Sequence, residues 1–162
     1  MSDAVANLRT DILIVGAGPT GLTLANLLGK SGTRTIIVER NPGTVGEPRA
    51  VSIDDESMRS MQAAGLDAAV EAIVARGYGS RYLGPKGDCF ALVDSVSKPF
   101  GFDKRNAFQQ PELEKVLLDG LARFDIVSCL LKHELVEFSQ NGQSIRAEMR
   151  RDDGSMVQVS AS

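Results

Sequence analysis

The chain is 162 residues long, enough for one domain with a hydrophobic core of its own. With 43% hydrophobic and 24% charged residues it has the composition of a globular protein, and a formal net charge of −3 gives no electrostatic reason to expect nucleic acid or an anionic membrane as a partner. Two cysteines, Cys89 and Cys129, with no CxxC spacing, argue against a disulfide framework or a metal centre. The opening "MSDAVANLRT" lacks a basic segment followed by a long apolar one, so the expected setting is soluble and cytoplasmic, with no signal peptide and no membrane span.

In chain order, "ILIVG" (12–16) is a continuous β-branched run, as expected of a strand buried on both faces of a parallel sheet. "PTGLTLANLLGKSG" has Leu22, Leu24, Ala25 and Leu28 near helical spacing and Gly32 where a C-terminal cap belongs. "RTIIVE" (34–39) is the next strand, completing a β-α-β unit. "NPGTVGEPRAVS" (41–52) is expected to be loop, "DDESMRSMQAAG" (54–65) a helix with acids at its start, and "DAAVEAIVAR" (67–76) a further helix. Between 77 and 109 glycines break the pattern, leaving one or two short strands, of which "CFALVDSV" is the best candidate. "QPELEKVLLDGLARF" (110–124) is a helix with Pro111 in its first turn. After the strand "IVSCLL" come "HELVEFS", "SIRAEMR" and "MVQVS", separated by the turn signals "QNG" and "DDG". The expectation is three parallel strands near 12–16, 34–38 and 126–131, with an antiparallel meander near 134–160 covering one face.

The first unit carries the chemistry. Gly16 allows a tight turn from strand to helix, Gly18 lets a pyrophosphate approach bare backbone, and Gly21 lets the helix pack closely on the strand. The helix N-terminus, opened by Pro19 and Thr20, offers free N–H groups and a partial positive charge. Glu39 follows Gly21 by eighteen residues and ends the second strand, where a carboxylate can accept hydrogen bonds from an adenosine ribose. An acid there disfavours a 2′-phosphate, although Arg40 could partly offset that. These residues point to a dinucleotide site, with an ordinary β-α-β turn and a solvated Glu39 as the alternative, and do not by themselves decide between FAD and NAD.

Three stretches taken together, "VGAGPTGLTLANLL…GTRTIIVER", "GEPRAVSIDDESMRSMQAAGL" (46–66) and "RNAFQQPELEKVLLDGL" (105–121), resemble the single-component FAD-dependent aromatic hydroxylases, the group of para-hydroxybenzoate hydroxylase and phenol hydroxylase, and most of all the 3-(3-hydroxyphenyl)propionate hydroxylase type. The resemblance covers nearly the whole chain. It implies a Rossmann-like α/β FAD-binding domain of the glutathione-reductase-like type, incomplete at its C-terminus, with parallel central strands and an antiparallel β-meander in place of the third crossover helix. It implies that Arg49 lies near the FAD pyrophosphate, that Gln110 lies along the ribityl chain, and that the backbone near Leu135 touches the adenine. It further implies hydroxylation of a phenolic substrate with NADH or NADPH and O₂, and a possible homodimer. Members of that group carry a second Gly-Asp fingerprint, a later Gly-Asp stretch and a substrate-binding sheet that this chain does not contain, so residues 1–162 are expected to be the N-terminal portion of an FAD-binding domain, without the substrate domain and inactive alone. No residue here is assigned a catalytic role. Another FAD enzyme of the same superfold, such as a dehydrogenase or halogenase, and a non-catalytic NAD-binding Rossmann module stay open.

Other constellations have simpler explanations. His133, the one histidine, has no Ser or Asp partners in a triad pattern and reads as a surface or packed strand residue. The carboxylates of "DDES" read as helix N-terminal charge, and "RDDG" as a hairpin turn.

Overall fold

A computed structural model describes residues 6–44, 46–47, 49–94 and 97–162. Residues 1–5, positions 45 and 48 of the expected loop, and positions 95–96 of the expected strand "CFALVDSV" lie outside the described residues. Two compact units emerge: one from the start of the chain together with Leu117–Ser162, the other from Gly46–Val116.

In the first unit, β1 (Ala6–Thr10) and β2 (Ile12–Val15) lead into helix α1 (Pro19–Lys30) and strand β3 (Thr35–Glu39). The apolar positions of α1 bury Leu22 and Ala25. The helix stops where its sequence asks it to. Gly32, at φ +79°, donates its N–H to Gly29, and the N–H of Thr33 reaches back to Leu28, so the last carbonyls of the helix are satisfied. Strand β9 (Val127–Leu131) pairs in parallel with β3, and β3 with β2, giving the order β2-β3-β9.

No helix follows β9. One residue, Lys132, at φ 59°, reverses the chain directly into β10 (His133–Gln140), and β11 (Ile145–Arg151) and β12 (Met156–Ala161) complete the meander. Its sheet runs β1-β12-β11-β10, antiparallel except for β1, which lies parallel to β12. Ile36 and Val38 of β3 form one buried cluster with Ala147 and Met149 of β11 and Val157 and Val159 of β12, so the meander covers one face of the central sheet as expected. On the other side of the sheet lies α1, whose buried Asn26 donates to the carbonyls of Leu22 (2.9 Å) and Leu117 (2.8 Å) and accepts from the Arg123 guanidinium (2.8 Å). A polar side chain inside a core is tolerated only when its donors and acceptor are used, and these are.

In the second unit, β4 (Ser52–Asp54) leads to α2 (Asp55–Ala64) and the short α3 (Asp67–Glu71). Strand β5 (Ala75–Arg76), the hairpin of β6 (Ser80–Leu83) and β7 (Cys89–Val93), and β8 (Arg105–Ala107) follow, then α4 (Gln110–Gly120), which ends in a 3₁₀ turn at Leu121–Arg123. Strand β8 is the middle of a three-stranded sheet, with β4 and β5 antiparallel on its two sides.

Four local expectations are corrected. Within these 162 residues strand β2 is an outer strand of its sheet, with Ile12 and Val15 38% and 56% exposed rather than buried on both faces as expected, whereas Ile37 and Val38 of β3 are fully enclosed. The helix expected over 67–76 stops at Glu71, because Ala75 and Arg76 pair with Ala107 and Asn106 of β8 and strand pairing outweighs their helical propensity. The expected loop 41–52 gives way to β4 at Ser52, which pairs with Ala107. The expected helix 110–124 narrows to a 3₁₀ turn after Gly120.

Candidate functional site

The turn between β2 and α1 uses three glycines for three different reasons. Gly16 has φ +104°, a conformation that L side chains rarely adopt, and its N–H is held by the carbonyl of Val38 at 2.8 Å. Gly21 has no room for a side chain: a Cβ there would lie 2.0 Å from the Gly16 carbonyl oxygen and 3.3 Å from a methyl group of Ile14. Gly18 is under neither constraint. Its φ and ψ of −82° and −177° suit any residue, and a Cβ there would meet nothing within 4 Å. The backbone at Gly18 therefore faces open space, with Pro19 and Thr20 opening α1 beside it.

That helix end is left bare by the protein. Gly18 has no side chain with which to cap it, and no acid lies in the first turn. Pro19 carries no N–H, and the first bond within the helix runs from the N–H of Leu22 to the carbonyl of Gly18 at 2.9 Å. The first N–H groups of α1 and its dipole are thus directed at whatever occupies the space before Gly18.

Glu39, half-buried at the end of β3, ties the turn to the neighbouring strand. Its Oε2 accepts from the Ala17 N–H at 3.0 Å, and its Oε1 accepts from the backbone and side chain of Asn41 at 2.9 and 2.7 Å. Asn41 in turn accepts from the N–H of Lys132 at 3.1 Å, which fixes the reversal between β9 and β10. The result is a cleft of about 330 Å³ lined by Val15, Gly16, Val38, Glu39, Arg40, His133, Glu134 and Leu135. Leu135 sits at a β-bulge in β10, the outer strand of its sheet, where backbone groups have no strand partner on one side.

Four of the residues expected to hold a dinucleotide, Gly16, Glu39, Arg40 and Leu135, thus line one cleft, and Gly18, Pro19, Thr20 and Gly21 form the turn next to it. Arg49 and Gln110 belong to the second unit, where they meet each other: Gln110 Oε1 accepts from the N–H groups of Arg49 (3.0 Å) and Ala50 (2.9 Å).

His133 and Glu134, which line the cleft, were not expected at the site. No local pattern marks them, because they reach the cleft through the pairing of strands distant in sequence. His133 Nδ1 lies 2.6 Å from the Leu131 carbonyl and its Nε2 accepts from Arg151 Nε at 3.2 Å, which is the pattern of a neutral ring with its proton on Nδ1. The Glu134 carboxyl is held below the usual carboxylate range by its hydrogen bond from Arg150, with the charges of Arg150 and Arg40 adding to the effect. In β9, burial pushes the Cys129 thiol above its ordinary value, and the Glu39 carboxylate pushes it further. Among the described residues no helix is long and apolar enough to cross a membrane.

Comparison with known proteins identifies the family and the fold. Residues 9–162 match the family of FAD binding domains. The chain is 46% identical over 144 residues to a 3-(3-hydroxy-phenyl)propionate/3-hydroxycinnamic acid hydroxylase of Comamonas testosteroni, a match covering 89% of this chain and 24% of that protein. It is 43% identical over 150 residues to the hydroxylase of the same name from Klebsiella pneumoniae subsp. pneumoniae, covering 93% of this chain and 27% of the relative. This chain thus spans about a quarter of the length of these curated relatives. In three dimensions it superimposes on the flavin-dependent monooxygenase PieE, solved with FAD and substrate, with a TM-score of 0.84 at 22% identity over 97% of this chain and 30% of that one, a likeness of fold. With residues 9–162 matched, the chain belongs to the FAD-binding domain family.

Proposed function

We propose that this chain holds the ADP half of FAD, as the cofactor-binding portion of a monooxygenase that hydroxylates a phenolic or aromatic substrate with NADH or NADPH and O₂. Gly18 carries the reading: neither its backbone conformation nor its packing asks for glycine, so the demand comes from a group that approaches its backbone closely. When bound, FAD supplies the redox chemistry, accepting a hydride from the nicotinamide and passing electrons to O₂.

The residues of the chain bind and orient. The backbone at Gly18 and the first N–H groups of α1 receive the pyrophosphate. Glu39 receives the ribose hydroxyls; its Oε2 is already fixed by Ala17, so the carboxylate is pre-set for that contact. Val15, Val38 and Leu135 give the cleft an apolar wall suited to an adenine. Arg49 is the cation that the resemblance assigns to the pyrophosphate, and within its own unit Gln110 holds the backbone at Arg49 and Ala50. The hydroxylases named above support the substrate class.

The experiment is Gly18→Ala in the intact protein. A methyl group fits the backbone and strikes no protein atom, so the melting temperature should stay within about 1 °C while FAD affinity falls at least about tenfold, equivalent to about 1.4 kcal/mol. Unchanged FAD affinity in a folded Gly18→Ala protein would overturn the proposal.

A further inference from the structure

Gln110 does more than its position in sequence suggested. Its side-chain carbonyl is used twice, by the N–H groups of Arg49 and Ala50, across separations of 61 and 60 residues. Its other end donates from Nε2 to Oε1 of Glu114 at 2.7 Å, one helical turn further along α4. Chemistry fixes the orientation of this amide. Backbone N–H groups can only donate, so the atom facing Arg49 and Ala50 must be the oxygen, which leaves Nε2 facing Glu114. Glu114 is 0% exposed and Gln110 7%, so water does not compete for either contact. Burying a carboxylate is costly unless something is gained by it.

We infer that Glu114 is a positioning residue: by holding the Gln110 amide in one orientation, it pins the backbone of Arg49 and Ala50 and so presents Arg49, whose side chain is exposed, in a fixed place. The relevance of this pin to FAD rests on the role of Arg49 proposed above. The pin itself does not.

The test separates the two. Hydrogen exchange at the Arg49 and Ala50 amides is measured in the intact protein without FAD, and FAD affinity is measured alongside. Glu114→Leu should raise exchange at both amides at least about tenfold while that of Leu117 and Leu118 in α4 changes less than about twofold. Glu114→Gln, which keeps an oxygen facing Nε2, should restore most of the protection. Gln110→Glu places two carboxylates against each other and should lose it, whereas the swap Gln110→Glu with Glu114→Gln again sets a donor against an acceptor between the two side chains and should regain it. Regained protection, or a swap that folds where Gln110→Glu alone does not, supports the inference. Unchanged exchange in Glu114→Leu, or a swap no better than Gln110→Glu, overturns it. Loss of protection with unchanged FAD affinity would uphold the pin and count against the role of Arg49 proposed above.

Discussion

Two helix N-termini in this protein are built on opposite plans. Helix α2 finishes itself: Asp54 caps it, accepting from the Ser57 N–H at 2.8 Å, and Asp55 and Glu56 place negative charge in its first turn. Helix α1 does none of this, with a glycine at its N-cap, a proline after it and no acid in its first turn. Both plans obey the same electrostatics. A helix start favours negative charge; α2 takes it from its own sequence, and under the function proposed above α1 takes it from the pyrophosphate of FAD. The comparison teaches that a missing cap can be as informative as a present one, provided the space before it is open.

The largest effect should come from filling the close approach behind the bare helix end. Gly21→Ala sets a Cβ against backbone rather than a flexible side chain, so α1 and β2 must separate. A loss of about 3 kcal/mol or more is expected in denaturant melts. A Gly21→Ala protein of normal stability would mean that the turn can relax without cost.

Next, Gly18→Asp would give α1 the plan of α2. The carboxylate should cap the helix and hold or raise stability by a few tenths of a kcal/mol, yet occupy the place of the pyrophosphate and repel it. FAD affinity should fall at least about a hundredfold, or about 2.7 kcal/mol, by flavin fluorescence titration. If Gly18→Asp binds FAD normally, the difference between the two helix ends has no functional meaning.

Glu39→Ala removes the acid that serves the bare end from a neighbouring strand. It frees the Ala17 N–H and takes away an acceptor for ribose hydroxyls. Hydrogen bonds to a charged group contribute about 1.5–3 kcal/mol, so titration with FAD, or with ADP as its half-ligand, should read a loss of roughly tenfold to a hundredfold. Full affinity would leave Glu39 as a support for the turn alone.

The smallest effect belongs to the self-sufficient helix. Asp54→Ala should cost about 1 kcal/mol of stability and leave FAD affinity unchanged. The Asp54 carboxyl is held below its ordinary value by its hydrogen bond from Ser57, so the folded state favours its ionised form. A depressed folded pKa means that this stabilisation is present above the unfolded value of about 3.9 and is lost as pH falls below it. The stability difference between wild type and Asp54→Ala should therefore shrink on acidification from pH 5 to pH 3; a constant difference would remove Ser57 as its cause.

The two ends of the comparison also differ in how far they could be read from the chain alone. The start of α1, the stop at Gly32, the cap at Asp54 and the acid at Glu39 are each declared within a few residues, because backbone angles, capping and dipole charge act over one helical turn. The turn signals "QNG" and "DDG" likewise end in Gly142 and Gly154 at positive φ, and a meander follows β9 as the spacing predicts. The resemblance named Arg49 and Gln110 but not what joins them, since the partners of an amide across some sixty residues leave no periodic mark.

Sequence by itself thus determined the β-α-β unit, the separate demands on Gly16 and Gly21, and the kind of ligand that an uncapped helix with an acid on the next strand would take. Tertiary structure alone decided that β1 runs parallel to β12 and that Ala75 and Arg76 leave a helical pattern to pair with β8. It alone brought His133 and Glu134 to the cleft and set the buried Glu114 behind Gln110. The division has one physical reason. Torsional and capping preferences are set by neighbours along the chain, whereas strand pairing, burial and buried hydrogen bonds are set by whichever distant segment arrives to satisfy them.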